Sequence, residues 1–259
     1  MKKVNQAAIY AKQKHNMQTR HDGDKIVPYF NHCKAVYEIV SKYAKRKDFN
    51  VELAQTIALL HDTLEDTNAT YSEIEQLFSK QVADGVLALT KDDKLPKSEQ
   101  MLDSLKRILN QPKEVAMVKM ADRMHNISKI NPIWNKKRSI RYYQEAILIH
   151  STLSKKYEPL AVEFWDYINK YKLLIETYNK NGGFMKYLKV KHGYLFAYDE
   201  ESGITLKFVD ENWKLSEMTY AELSNSSDVV ELTYNEASLI TEGKNPKQLI
   251  DNIINILGL

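Results

Sequence analysis

Four side chains that are costly to bury each fall in an otherwise apolar stretch of helical spacing: His32, the adjacent pair His61-Asp62, and Asp122. An imidazole or a carboxylate in such a setting is destabilising unless a partner satisfies it. A divalent metal shared by all four meets that demand at once. Any fold of this chain must therefore carry three separate segments, about ninety positions apart at the extremes, to one point.

The hydrophobic period says what those segments are. From Asn5 to about Lys180 apolar residues recur every three to four positions, as in Ala7, Ala8 and Ala11, then Val36, Ile39, Val40 and Tyr43, then Leu53, Ile57, Leu60 and Leu64. This predicts an all-helical region over 1–180. Thr70 to Glu73 is a capping box, and Gln111-Pro112 opens the helix that contains Asp122. Thr90 to Pro96 reads as a polar loop, after which Met101, Leu102, Leu105, Ile108 and Leu109 restore the period of a surface helix.

Beyond Asn181-Gly182-Gly183 the pattern changes. Tyr187 to Val190, Tyr194 to Tyr198 and Ile204 to Val209 are rich in aromatic and β-branched residues and are separated by His192-Gly193 and by Asp199 to Gly203, both turn compositions. A small antiparallel meander is expected, followed by helices at two further capping boxes, Thr233 to Glu236 and Asn245 to Gln248. The fold class is thus mainly α: a helical bundle over 1–180 and a small α+β appendage over 181–259. No motif assigns the appendage a role.

Composition narrows the chemistry. The chain has 259 residues, 43% of them apolar and 27% charged, as an ordinary globular protein does. No apolar run approaches the roughly 20 residues needed to cross a bilayer, and the Lys2-Lys3 start runs into Asn5-Gln6 rather than a signal-peptide core. A cytoplasmic protein without membrane partners is expected. The single Cys33 excludes an internal disulfide framework and a thiolate metal cluster, so metal chemistry falls to His and carboxylate ligands; Cys33 itself reads as a small buried residue without chemistry. The net charge of +3 does not argue for nucleic acid. It is unevenly spread, since residues 181–259 carry 7 basic and 12 acidic side chains and the first 180 hold the basic excess. A basic catalytic part suits a small anionic substrate such as a nucleotide.

If one helix runs through Leu59 to Asp66, the pairs His61/Glu65 and Asp62/Asp66 stack one turn apart on a shared face; an end at Thr63 would undo the stacking. Asp122 and Asn126 repeat the spacing. Two His and two Asp form a mixed nitrogen and oxygen set that suits manganese or iron better than calcium or structural zinc. A lone His-Asp pair is often a satisfied surface pair; the combination across three apolar segments is specific.

These residues resemble a known family. The order His32, His61-Asp62, Asp122 is the signature of the HD-domain metal-dependent phosphohydrolases. Arg20, Pro28-Tyr29, His32, Leu59 to Thr67, Leu89 to Lys91 and Lys119 to Asn126 are similar to the hydrolase domain of Rel/SpoT proteins, which remove the 3′-pyrophosphate of guanosine tetra- and pentaphosphate. Asp92 to Lys97, Asn131-Pro132, Arg138 and Tyr142 resemble the stand-alone small alarmone hydrolases, relatives of the metazoan SpoT homologue. The similarity covers roughly residues 3–175.

The resemblance implies that His32, His61, Asp62 and Asp122 hold Mn2+, that Glu65 and Asp66 position or deprotonate the attacking water, and that Arg20, Asn126 and Tyr142 contact the nucleotide. Two departures stand out. Arg20 is followed by His21 to Val27 rather than by a second basic residue and a glycine shortly before Pro28, with an apparent one-residue insertion, and Cys33 replaces a proline. The expected activity is manganese-dependent hydrolysis of (p)ppGpp to GDP or GTP and pyrophosphate. Two alternatives stay open: an HD phosphohydrolase of another nucleotide, such as an NADPH 2′-phosphatase, and a non-catalytic nucleotide-binding regulatory module, against which the intact Glu65 and Asp66 argue. A homo-oligomer stays open too.

Overall fold

The computed structural model describes residues 2–23, 25–43, 49–191 and 193–257. Asp24 and His192, which the sequence places in the loop after Arg20 and in a turn, lie outside the described residues. The chain divides into two compact units, Met1–Lys129 with Arg141–Tyr171, and Ile130–Ile140 with Lys172–Leu259. The sequence expectation is a boundary after Lys180; the two units divide between Tyr171 and Lys172, and Ile130–Ile140 falls in the second.

The first unit begins with α1 (Lys2–Lys14), a two-stranded hairpin β1 (Thr19–Asp22) and β2 (Lys25–Pro28), and α2 (Phe30–Tyr43). The hairpin corrects the all-helical expectation. Arg20 pairs with Val27 and Asp22 with Lys25, and Gly23 supplies the positive φ of +62° in the turn. Then follow α3 (Val51–Leu60), α4 (Thr63–Asp66), α5 (Tyr71–Leu77), α6 (Lys80–Leu89), α7 (Lys97–Leu109) and α8 (Lys113–Asn126). Two more helices, α9 (Lys136–Leu153) and α10 (Glu158–Lys180), complete the helical part.

Two helices form the centre of this unit. In α3 every residue from Leu53 to Leu60 except Gln55 is buried, and in α8 every residue from Glu114 to Met124 is. A helix apolar around its whole circumference must be surrounded; α3 packs on α1, α2, α6 and α8. Gly85 on α6 permits the close approach, since a Cβ there would lie 2.6 Å from Ile57 Cδ1 and 3.1 Å from Val115 Cγ2. The capping box at Thr70 forms, with the Thr70 hydroxyl accepting from Glu73 N and the Glu73 carboxylate accepting from Thr70 N.

The α3 helix does not continue to Asp66. It ends at Leu60, His61-Asp62 form a turn, and α4 starts at Thr63. The Thr63 hydroxyl donates to Leu60 O at 2.7 Å across the break, and Asp66 N donates to Asp62 O at 2.9 Å as the first bond of α4.

The second unit carries a five-stranded antiparallel sheet of β3 (Lys186–Val190), β4 (Leu195–Tyr198), β5 (Thr205–Val209), β6 (Asn212–Leu215) and β7 (Val229–Leu232), in the order β6-β5-β4-β3-β7. The meander is present and extended by β6, and β7 returns to pair with β3 on the other edge. The short α11 (Tyr220–Ser224) sets Leu223 against Leu188 and Phe196 on one face of the sheet. Residues of α12 (Tyr234–Ile240) and α13 (Pro246–Leu257) pack on the other, through Ala237 and Ile250 against Tyr187, Leu195, Leu206 and Trp213. Among the described residues no helix is long and apolar enough to cross a membrane.

Replacing Gly85 with valine is expected to lower stability by about 1–3 kcal/mol through overpacking at the α3/α6/α8 contact, read as a lower urea midpoint at constant slope; an unchanged midpoint would show that the contact is loose.

Candidate metal centre

Three elements deliver the polar residues. His32 projects from the first turn of α2, His61 and Asp62 occupy the break after α3, and Asp122 lies in the last turns of α8. His32, His61 and Asp122 are buried, and their ligand atoms all lie within 4.8 Å of one another. His32 Nε2 is 3.2 Å from His61 Nε2 and 3.2 Å from Asp122 Oδ1, while His61 Nε2 is 3.8 Å from Asp122 Oδ1. Asp62 Oδ2 reaches both imidazoles, at 3.0 Å from His61 Nε2 and 3.4 Å from His32 Nε2. Ligands about 2.1 Å from one cation sit about 3 Å apart at right angles and about 3.4 Å apart at tetrahedral angles. The observed spacings are of that size.

Tautomers sharpen the fit. His61 Nδ1 lies 2.8 Å from Ala58 O, so Nδ1 carries the proton and Nε2 keeps a lone pair. His32 Nδ1 lies 2.8 Å from His125 Nδ1. Burial, with the nearby Arg20 charge, pulls His125 down to about 3, so it is neutral and can accept the proton of His32 Nδ1. Both Nε2 lone pairs then face each other and two carboxylates, an arrangement that repels unless a positive charge lies between. A proton is the smallest such charge. Burial alone would lower His61, but the Asp62 charge and hydrogen bond, with Asp122 behind them, outweigh it and raise His61 to about 9. Burial likewise opposes ionisation of Asp62 and Asp122, yet the imidazoles beside both, and Lys119 beside Asp122, hold the two carboxyls well below the usual range.

The remaining sequence candidates divide. Asn126 Nδ2 donates to Asp122 Oδ1 at 2.6 Å, and Arg20 Nη2 donates to Asn126 Oδ1 at 3.0 Å, so the hairpin is linked to the cluster through Asn126. The Tyr29 hydroxyl lies 2.7 Å from Asp62 Oδ2 and 3.0 Å from Asp66 Oδ2, which sets Asp66 beside the cluster. Burial and then the Asp62 charge raise the Asp66 carboxyl above its ordinary value, partly offset by the Tyr29 hydrogen bond. Glu65 is held by Lys91: it accepts from Lys91 Nζ at 2.7 Å and Lys91 N at 3.0 Å. Of the two expected four-residue pairs, Asp62 and Asp66 share the Tyr29 hydroxyl, while Glu65 is paired with Lys91. Tyr142 packs against Arg123, whose guanidinium lies 4.4 Å from its ring centroid while Nη2 donates to Glu145 at 2.7 Å.

Several participants escape the pattern of ligands. His125 lies inside the Lys119 to Asn126 run and Lys91 inside the Leu89 to Lys91 run, so their motifs pointed to them without a role. Cys33 is fully buried, and burial, with the Asp62 charge, raises its thiol well above the usual value, as expected of an inert residue.

The family profile described as HD domain matches residues 7–157. The chain is 36% identical over 158 residues to GTP pyrophosphokinase rsh of Brucella suis biovar 1 (strain 1330), covering 58% of this chain and 20% of that protein. It is 35% identical over 162 residues to the bifunctional (p)ppGpp synthase/hydrolase SpoT of Escherichia coli (strain K12), covering 60% and 22%. The chain therefore spans about a fifth of the length of these curated relatives. A solved structure, described as a metazoan ortholog of SpoT that hydrolyzes ppGpp and plays a role in starvation responses, superposes with a TM-score of 0.59 at 28% identity, covering 67% of this chain and 98% of that one.

Entry of a divalent cation must expel the proton that His61 holds below about pH 9. Calorimetric titration with Mn2+ is therefore expected to show apparent affinity rising with pH toward 9, by about tenfold per unit where one proton is released, and Asp122→Asn is expected to lose binding. An affinity independent of pH between 6 and about 8 would show that His61 is not displaced.

Proposed function

The chain belongs to the HD domain family, and we propose that it hydrolyses the 3′-pyrophosphate of guanosine tetra- and pentaphosphate, giving GDP or GTP and pyrophosphate. The observation that carries the reading is the convergence of two imidazoles and two carboxylates beside Asp66, a carboxylate whose proton affinity is raised by burial and by Asp62. The substrate is supported by the names of the SpoT relative and of the metazoan SpoT structure. A cytoplasmic location is part of the same proposal.

In this reading His32, His61, Asp62 and Asp122 hold the cation, and the mixed nitrogen and oxygen set favours manganese. When bound, the cation lowers the pKa of water and polarises a phosphoryl oxygen. Asp66 takes the proton of the attacking water, as a carboxylate with a raised pKa is suited to do. Water oxygen bonds to the phosphorus on the 3′ oxygen and that P–O bond breaks; the proton that Asp66 took returns to the departing 3′ oxygen, directly or through solvent, so that the nucleotide leaves with a 3′ hydroxyl and pyrophosphate is the second product. Glu65, neutralised by Lys91, shapes the wall of the site rather than acting as the base. Arg20 offers its planar fork to a phosphate, Asn126 fixes both Arg20 and Asp122, and Tyr142 on its Arg123 support is a nucleotide contact.

Purified protein with Mn2+ is expected to release pyrophosphate from ppGpp and to stop when the metal is chelated. Faster release of orthophosphate from NADPH would assign the site to another phosphate, and inertness toward both would leave a binding module. Asp66→Asn is expected to lower kcat by about 10²- to 10⁴-fold while Mn2+ still binds; a small loss would move the base elsewhere.

A further inference from the structure

Tyr29 belongs to a motif noted in the sequence but has no part in the reaction as described so far. It lies between the hairpin and α2, with its N–H donating to Gln18 O at 2.9 Å and its carbonyl accepting from His32 N at 2.8 Å. Its ring is held on three sides. His15 stacks on it at 4.8 Å and 22° between planes, the Arg20 guanidinium lies 5.7 Å from its centroid, and the His32 ring meets it edge-on at 5.7 Å. A ring so enclosed has one place for its hydroxyl, between Asp62 Oδ2 and Asp66 Oδ2.

The Asp62 atom it touches is the one that faces both imidazoles. Asp66 is gripped from a second direction, because Gln18 Nε2 donates to Asp66 O while Gln18 Oε1 lies 2.6 Å from His15 Nδ1. The His15 to Gln18 turn therefore braces the tyrosine ring with one residue and the backbone of Asp66 with the other. His15 is itself buried, and its Nε2 meets no hydrogen-bond partner among the described residues, so its place is set by the stack and by Gln18.

We propose that Tyr29 is a positioning residue: its single hydroxyl fixes Asp66, which handles the water, relative to Asp62, which holds the cation, and His15 and Gln18 brace that link. The proposal rests on the phosphohydrolase reading above. It requires no contact between Tyr29 and substrate. Groups that hold metal ligands and bases in register are worth about 10- to 100-fold in metal affinity or activity.

Tyr29→Phe keeps the ring and removes one oxygen. In the full chain with Mn2+ and ppGpp, kcat is expected to fall about 10- to 100-fold with KM little changed, and Mn2+ affinity measured by calorimetry is expected to fall as well. An unchanged kcat, or a loss that appears wholly in KM, overturns the proposal. Should Tyr29→Phe fail to fold, Gln18→Leu carries the test, because it loosens Asp66 while leaving the hydroxyl: a fall in kcat at constant KM supports the link, and none overturns it. If the wild-type protein is inert toward ppGpp, the substrate reading fails separately, and the Mn2+ affinity of Tyr29→Phe decides: weaker binding supports the tie to Asp62, unchanged binding removes it.

Discussion

The helical unit depends on the mutual repulsion of two imidazole lone pairs and two carboxylates brought to one point, with imidazole–carboxylate distances of 3.0 to 3.8 Å. Such a set is unstable as neutral imidazoles and free carboxylates, and a positive charge at its centre reverses the sign of the interaction. The fold is arranged so that none of the four can escape. His32 is backed by His125, His61 by the Ala58 carbonyl, Asp122 by Asn126 and Lys119, and Asp62 by Tyr29. Burial of His32, His61 and Asp122 keeps water from satisfying those three instead.

The same constraint explains the break after α3. A helix continued through Asp66 would stack His61 on Glu65 and Asp62 on Asp66, giving two acids and an imidazole the same face. By ending at Leu60 the chain aims His61 and Asp62 together at His32, retains Asp66 beside them through Tyr29, and sends Glu65 to Lys91. One acidic residue of the pair is thereby neutralised and the other is left with a raised proton affinity. Neighbouring carboxylates in different environments separate their roles in this way.

The polar cluster was legible in the sequence because buried polar residues in apolar helices are costly, and cost leaves a mark on the pattern. The helical period and the Thr70 and Thr233 capping boxes were legible for the same kind of local reason. The β1-β2 hairpin was not, since Thr19 to Asp22 and Lys25 to Pro28 are largely polar and only partly buried, so no alternation of apolar residues announces a strand. The strand β6 was hidden differently. Its two-residue turn has Asp210 and Glu211 at φ of 50° and 60°, where asparagine or glycine is the usual signal. The orientation of Glu65 depends on a helix break that no residue type predicts, and the contact of Tyr29 with Asp66 depends on three segments meeting.

The site as a whole stands or falls on where a cation binds. The most direct measurement is diffraction from crystals grown with Mn2+, recorded at the manganese absorption edge so that only that element scatters anomalously. A single peak bonded to Nε2 of His32 and His61 and to a carboxylate oxygen of each of Asp62 and Asp122, at about 2.1 Å, is the expected result. A peak outside this cluster, or a fully loaded protein with no density between the two imidazoles, would contradict it.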